Sequence, residues 1–118
     1  GVVGAIDGWF AFINKPSSKA VTNQTDFFSE KYQRYGLNVQ AVCDSKLRFI
    51  YLSISSPGKT NDAIAFHRAK YLQKWIEELP EEYFLIGDNA YRLNSTMLVP
   101  FKGSHKRNEF NRSYNFYL

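Results

Sequence analysis

The order in which apolar segments follow one another constrains the fold of this chain more than any other feature of its sequence. Residues 2–13 are mostly apolar, broken by glycines and one aspartate, and predict a buried strand that enters a second extended piece. Two further β-rich segments follow at residues 35–42 and 47–55, joined by a hairpin turn over residues 43–46. Residues 15–31, between the first and second segments, are polar and predict a surface loop.

A helical pattern follows the Pro57-Gly58 turn. Either Asn61 or Asp62 can cap the start of this helix, which runs in one or two pieces through Ile76 and ends before Pro80. Its apolar residues recur at helical spacing: Ile64, Ala65, Ala69 and Leu72. Residues 83–86 then predict a short buried strand, residues 98–99 a last strand, and the second half of residues 101–118 a helix.

Three strands, a crossover helix, a further strand and a final helix predict a mixed α/β sheet with helices packed on its faces. The same order of elements occurs in the ribonuclease H-like fold, by analogy. A chain of 118 residues is expected to form one domain, and 44% hydrophobic residues exclude a disordered chain. The sequence starts without an initiator Met and stops in a polar-aromatic stretch with no C-cap signal, so we expect a fragment whose domain is incomplete at its C-terminus.

Charge and cysteine content narrow the expected partners and compartment. The net charge of +4 favours a polyanionic partner. Cys43 is the only cysteine, which rules out an intramolecular disulfide and favours a reducing compartment, the cytosol or the nucleus. No apolar segment is long enough to cross a bilayer, so we expect no membrane partner.

Two aspartates stand where apolar core residues would be expected. Asp7 interrupts the first strand, and Asp88 follows the strand at residues 83–86. Ionised carboxylates at buried strand ends are unfavourable unless they are paired, hydrogen-bonded or bound to a metal. If the two strands are neighbours, their oxygen ligands suit Mg²⁺ or Mn²⁺. The alternative is that Asp7-Gly8 and Gly87-Asp88-Asn89 are ordinary turns, and either motif alone leaves that alternative open. By the same reasoning Asp62 is most simply a helix cap, and Asp44 a solvated turn residue.

The C-terminal segment combines basic and aromatic side chains. Its basic residues are candidates for contact with a DNA phosphate backbone: Lys102, Lys106, Arg107 and Arg112. A solvated helix face above an aromatic core stripe would give the same pattern, and composition alone does not decide between the two.

Several segments in series resemble the DDE superfamily endonucleases of Harbinger-type transposons. The similarity spans nearly the whole chain in the expected order. Its motifs are residues 4–8 (GAIDG), 37–44 (LNVQAVCD), Pro57-Gly58 with Asn61-Asp62, 85–91 (LIGDNAY), Pro100 with Lys102-Gly103, and 108–111 (NEFN).

This resemblance implies a ribonuclease H-like nuclease with three acidic metal ligands and a two-metal mechanism. Asp7 matches the first ligand and Asp88 the second, while the third would lie beyond Leu118. It also implies Mg²⁺ or Mn²⁺ as cofactor, nuclear DNA as substrate and a Myb-like accessory protein as partner. A homo-oligomer is a further candidate assembly.

The motif that contains Asp7 departs from the family in one respect. Relatives commonly continue it with Gly, a small residue and His, whereas here Trp9 and Phe10 follow Gly8. Three functions therefore stay open at this point: an active transposase core, a catalytically inactive transposon-derived DNA-binding or interaction protein, and an unrelated α/β binding module.

Overall fold

The computed structural model describes residues 1–100, which form one mixed sheet with two helices packed on it. No helix in this part of the chain has the length and apolar character needed to cross a membrane. The elements in chain order are β1 (Val2–Phe12), a 3₁₀ helix (Gln24–Phe27), β2 (Phe28–Ser29), β3 (Arg34–Cys43), β4 (Phe49–Pro57), α1 (Asp62–Arg68), α2 (Lys70–Glu77), β5 (Phe84–Ile86) and β6 (Met97–Leu98).

Strand β1 lies in the middle of the sheet and pairs with strands of both directions. On one side it is antiparallel to β3, which in turn pairs antiparallel with β4 and with the short β2. On the other side β1 is parallel to β5, and β5 is parallel to β6. The antiparallel strands β3 and β4 are joined by a tight turn, whereas the step from β4 to β5 requires a crossover, which α1 and α2 supply. The predicted mixed α/β sheet with flanking helices is confirmed.

Several details differ from the predictions. The first segment is one continuous strand rather than a strand followed by a second extended piece. The predicted loop at residues 15–31 contains the 3₁₀ helix, capped by the Asn23 side chain, and strand β2. The helix predicted in one or two pieces is two helices, because the backbone leaves the helical region at Ala69 (ψ 74°), which agrees with the second of these alternatives. The predicted C-terminal helix lies outside the described residues.

The main core lies between the helices and one face of the sheet. Leu72 and Ile76 of α2 are four residues apart, so both point toward the sheet, where Ile6, Val42 and Leu85 are buried. The Trp75 ring packs against Tyr51 of β4 with ring centroids 5.4 Å apart. These contacts fix the helices above β1, β3 and β5, and so hold the two parallel strands side by side.

We predict that Leu72→Ala lowers the free energy of unfolding by about 2–5 kcal/mol, since it leaves a cavity under α2. Leu72 is fully buried, whereas its neighbour Tyr71 is 85% exposed. Tyr71→Ala is therefore the matched control, with an expected change of about 0.5 kcal/mol or less. Urea denaturation followed by circular dichroism measures both, and equal effects of the two substitutions would contradict the packing described above.

Candidate active site

Asp7 and Asp88 lie at the same level of two adjacent parallel strands. The register pairs Ala5 of β1 with Ile86, the last residue of β5; Asp7 comes two residues later within β1, and Asp88 comes two residues after the end of β5. Side chains alternate along a strand, so Asp7 is on the same face of β1 as Ala5, and Asp88 follows Ile86, the residue paired with Ala5. Both residues also line one surface pocket, together with Gly87 and Pro100. The predicted adjacency of the two strands is confirmed.

The carboxylate of Asp7 is in an electrostatically unfavourable position. Partial burial raises its pKa above the ordinary value of 3.8, and the negative charges of Asp88 and Asp62 raise it further. A hydrogen bond from the Gly8 backbone N–H, 2.9 Å long, works in the opposite direction by favouring the ionised form. Crowded carboxylates of this kind are stabilised when a cation lies between them.

Asp88 also forms a local turn. Its Oδ1 accepts a hydrogen bond from the backbone N–H of Ala90 at 2.8 Å, and the Tyr91 N–H donates to its carbonyl oxygen at 3.2 Å. The turn and the metal-ligand interpretations of Asp88 are therefore compatible, because one carboxylate oxygen takes the turn bond. The second oxygen has no hydrogen bond within the described residues and stays available for a cation.

Asp62 is a third carboxylate in this region, and the sequence predicts it most simply as a helix cap, with Asn61 as the alternative. The cap of α1 is instead its neighbour Asn61, whose Oδ1 accepts from the Ile64 N–H at 2.9 Å. Asp62 points to the sheet, where its Oδ1 accepts hydrogen bonds from the side-chain amides of Asn38 (3.0 Å) and Gln40 (3.3 Å). The sequence signal that could have indicated this role is the pair of polar residues, Asn38 and Gln40, on one face of an otherwise apolar strand.

The position of Asp62 depends on a glycine in the central strand. A Cβ atom added at Gly8 would overlap the Asp62 carboxylate, and the two amides from β3 restrict the movement of that carboxylate. Glycine is therefore required next to Asp7 for packing, which explains why an Asp-Gly pair occurs here inside a strand. No positive φ angle is involved at this position.

A buried chain of hydrogen bonds orients the two amide side chains that contact Asp62. The Tyr91 hydroxyl donates to Gln40 Oε1 at 2.7 Å, and Gln40 Nε2 donates to Asn38 Oδ1 at 2.8 Å. Burial, followed by the charge of Asp62, raises the pKa of the Tyr91 hydroxyl, so this group is a neutral donor at all physiological pH values. The network fixes the amide orientations that present Asp62 to the site.

The oxygen ligands that Asp7 and Asp88 offer fit a hard divalent cation, but they do not complete its coordination. All are carboxylate oxygens, which Mg²⁺ and Mn²⁺ prefer. Within residues 1–100 no group of three or more acidic, histidine or cysteine side chains is close enough to hold a metal ion. Asp7 and Asp88 could therefore hold a cation only together with water or with ligands from outside these residues.

The other predicted residues lie elsewhere. Asp44 is in the β3–β4 turn, and its carboxylate forms an ion pair with Arg48 at 2.8 Å. Hydrogen bonds from Arg48, first from its backbone N–H, lower the pKa of that carboxyl group. The candidate DNA-contacting residues Lys102, Lys106, Arg107 and Arg112 lie outside the described residues.

Comparison with known proteins identifies the family. The family described as DDE superfamily endonuclease matches residues 6–116. The chain belongs to this family. The mouse (Mus musculus) protein "Putative nuclease HARBI1" is 24% identical over 100 residues, which cover 85% of this chain and 27% of that protein. The chain thus spans only about a quarter of that relative. No solved structure matches significantly. The family resemblance inferred from the motifs is confirmed.

We predict that Asp7→Asn stabilises the metal-free protein at neutral pH. The folded-state pKa of Asp7 is raised, so folding favours its protonated form and ionisation of Asp7 reduces stability as pH rises through that pKa. An asparagine removes the charge and its Oδ1 can still accept the Gly8 N–H. In EDTA, the gain in unfolding free energy should be present at pH 7 and shrink as pH falls toward 3.8.

Urea denaturation at several pH values measures this effect. Glu81→Gln, which removes an exposed acid away from the site, is the control and should show no comparable gain. An Asp7→Asn protein that is less stable than wild type at pH 7 would contradict the electrostatic description of the site.

Proposed function

We propose that this chain is the catalytic core of a transposase-type, metal-dependent DNA endonuclease that hydrolyses phosphodiester bonds and transfers DNA strands. The observation that carries the proposal is the placement of Asp7 in β1 beside Asp88, which follows the adjacent parallel strand β5. Burial and nearby negative charge destabilise the Asp7 carboxylate. Membership of the DDE superfamily endonucleases supports a nuclease in general. The transposase role and the two-metal mechanism are the proposed refinements.

In this proposal Asp7 and Asp88 hold the cation, and Asp62 raises the negative potential at the same edge of the sheet. Bound Mg²⁺ or Mn²⁺ would activate water or a DNA 3′-hydroxyl and stabilise the leaving oxygen. The chain's own residues position these ligands. The Gly8 N–H orients the Asp7 carboxylate, the Ala90 N–H orients that of Asp88, and the β3 amides orient that of Asp62.

The remaining ligand and partners follow the family resemblance. From the family resemblance we place a third acidic ligand beyond Leu118, and among residues 1–100 the acids form no three-ligand group. We further propose a nuclear location, DNA as the substrate, contact of the basic segment 102–112 with DNA phosphates, a Myb-like accessory protein and homo-oligomerisation.

A second candidate function is a catalytically inactive DNA-binding or interaction protein that keeps this fold. The observation in its favour is the replacement of the family's usual His after the Asp7 motif by an aromatic pair. The Phe10 side chain is half-buried and stacked on Tyr32, so this position is occupied by a packing residue. Metal binding distinguishes the two candidates.

We predict that Mn²⁺ stabilises the 118-residue chain weakly and through both aspartates. Two carboxylates leave the ion largely hydrated, so a Kd of about 1 mM is expected, and 10 mM Mn²⁺ would then add about 1.4 kcal/mol to the unfolding free energy. Asp7→Asn and Asp88→Asn should each abolish this gain, Asp62→Asn should reduce it, and Glu81→Gln should leave it unchanged.

A plasmid-nicking assay on the same proteins completes the test. We expect no cleavage by residues 1–118 alone, because we place the third ligand beyond Leu118. Metal-dependent nicking that Asp7→Asn abolishes would show that the third ligand is within this chain. Equal Mn²⁺ stabilisation of the wild type and both aspartate variants would favour the inactive protein.

A further inference from the structure

A surface groove begins next to Asp7 and Asp88. Gly8 and Asn89, the residues that follow Asp7 and Asp88, both line it, and Asp62 lies at the same end. From there it extends along β1 toward the turn between β2 and β3. Its volume of about 610 Å³ is within the range of small-molecule binding sites.

One wall of the groove is a fixed aromatic stack. The Tyr32 ring lies on the Phe10 ring with centroids 4.8 Å apart and planes 15° from parallel. Phe10 is seated against two glycines: a Cβ at Gly36 would overlap its ring, and one at Gly58 would lie 2.6 Å from both that ring and the Gly36 carbonyl oxygen. The absence of side chains at Gly36 and Gly58 thus leaves room for the Phe10 ring, and the stack is formed by the protein's own residues.

The part of the groove that is distant from Asp7 and Asp88 is basic. Lys31 and Lys59 line it, and among its described lining residues Asp62 is the only acid, at the opposite end. The Lys31 ammonium is 5.2 Å from the Tyr32 ring centroid, and the Arg34 guanidinium is 4.0 Å from that of Phe12, beside the stack. Trp9, which also lines the groove, is 59% exposed.

We propose that this groove binds an unpaired nucleotide of the DNA strand adjacent to the scissile phosphate. The inference rests on the proposed nuclease function, because the groove starts at that site. Aromatic faces flanked by lysines are the chemistry that binds single-stranded nucleic acid, the base stacking on the rings and the phosphates contacting the ammonium groups. A paired base hides its faces in the duplex stack and must be extruded to reach such a wall.

Binding of a fluorescein-labelled oligothymidylate, measured by anisotropy in EDTA, tests the proposal, with a blunt duplex of the same length as comparison. Tyr32→Ala should weaken single-strand binding about tenfold and duplex binding by less than about twofold. Tyr32→Phe keeps the ring and should bind like wild type. Tyr71→Ala, the loss of an exposed tyrosine on α2, is the matched control and should have no effect.

The lysines are tested through the salt dependence of the same binding. Lys31→Ala with Lys59→Ala should reduce the slope of log K against log salt by about 1.4, since each single-strand phosphate contact contributes about 0.7. Lys70→Ala with Lys74→Ala, on the exposed part of α2, should leave the slope unchanged.

Fluorescence gives a further test. The Trp75→Phe variant has Trp9 as its sole tryptophan, and binding of the oligonucleotide should quench the fluorescence of Trp9.

Three results would overturn the proposal: equal affinities of Tyr32→Ala and Tyr71→Ala, an equal loss for duplex and single strand, or unquenched Trp9 fluorescence at saturating oligonucleotide. The unfolding midpoint of each variant, compared with wild type, separates loss of the groove from loss of the fold. Because EDTA removes the cation, failure of this proposal is distinguishable from failure of the Mn²⁺ stabilisation test.

Discussion

The parallel pairing of β1 with β5 is the constraint on which the site depends. It places Asp7, in the middle of β1, beside Asp88, which comes just after the end of β5, although the two are far apart in sequence. Parallel neighbours cannot be joined by a tight turn, so the chain between them must cross over the sheet, and α1 and α2 do this while burying Leu72 and Ile76 against it. The crossover that closes the core therefore also brings the two carboxylates together.

The polar network between α1 and β3 lies on the same side of the sheet as this crossover. Asn38 and Gln40 are buried, and their amides satisfy one another, Asp62 and the Tyr91 hydroxyl. An apolar layer here would pack as well and would avoid the desolvation of these groups. What the polar layer adds is a fixed direction for Asp62, set by β3 and by the absence of a side chain at Gly8. The unfavourable ionisation of Asp7 fits the same interpretation, since functional sites commonly reduce stability for activity.

Local patterns predicted most of the fold, because each strand, the hairpin turn and the start of the helix are encoded within a few residues, and their order along the chain follows directly. Asp7 and Asp88 were recognisable for the same reason, as acids in apolar strands. The role of Asp62 could not be recognised from the sequence, because its partners on β3 are 22 and 24 residues away. Either Asn61 or Asp62 could also have been the helix cap. The Tyr32–Phe10 stack was missed likewise, because Tyr32 lies between the predicted loop at residues 15–31 and the predicted strand at residues 35–42, and its packing against β1 depends on tertiary structure.

The central claim is that Asp7 and Asp88 share a divalent cation. Diffraction from crystals soaked in Mn²⁺, with data collected at the manganese absorption edge, locates the ion directly. We predict an anomalous peak between the two carboxylates, within coordination distance of an oxygen of each, and no such peak in Asp7→Asn crystals. A manganese peak bound elsewhere, with the Asp7 and Asp88 carboxylates turned apart, would contradict it.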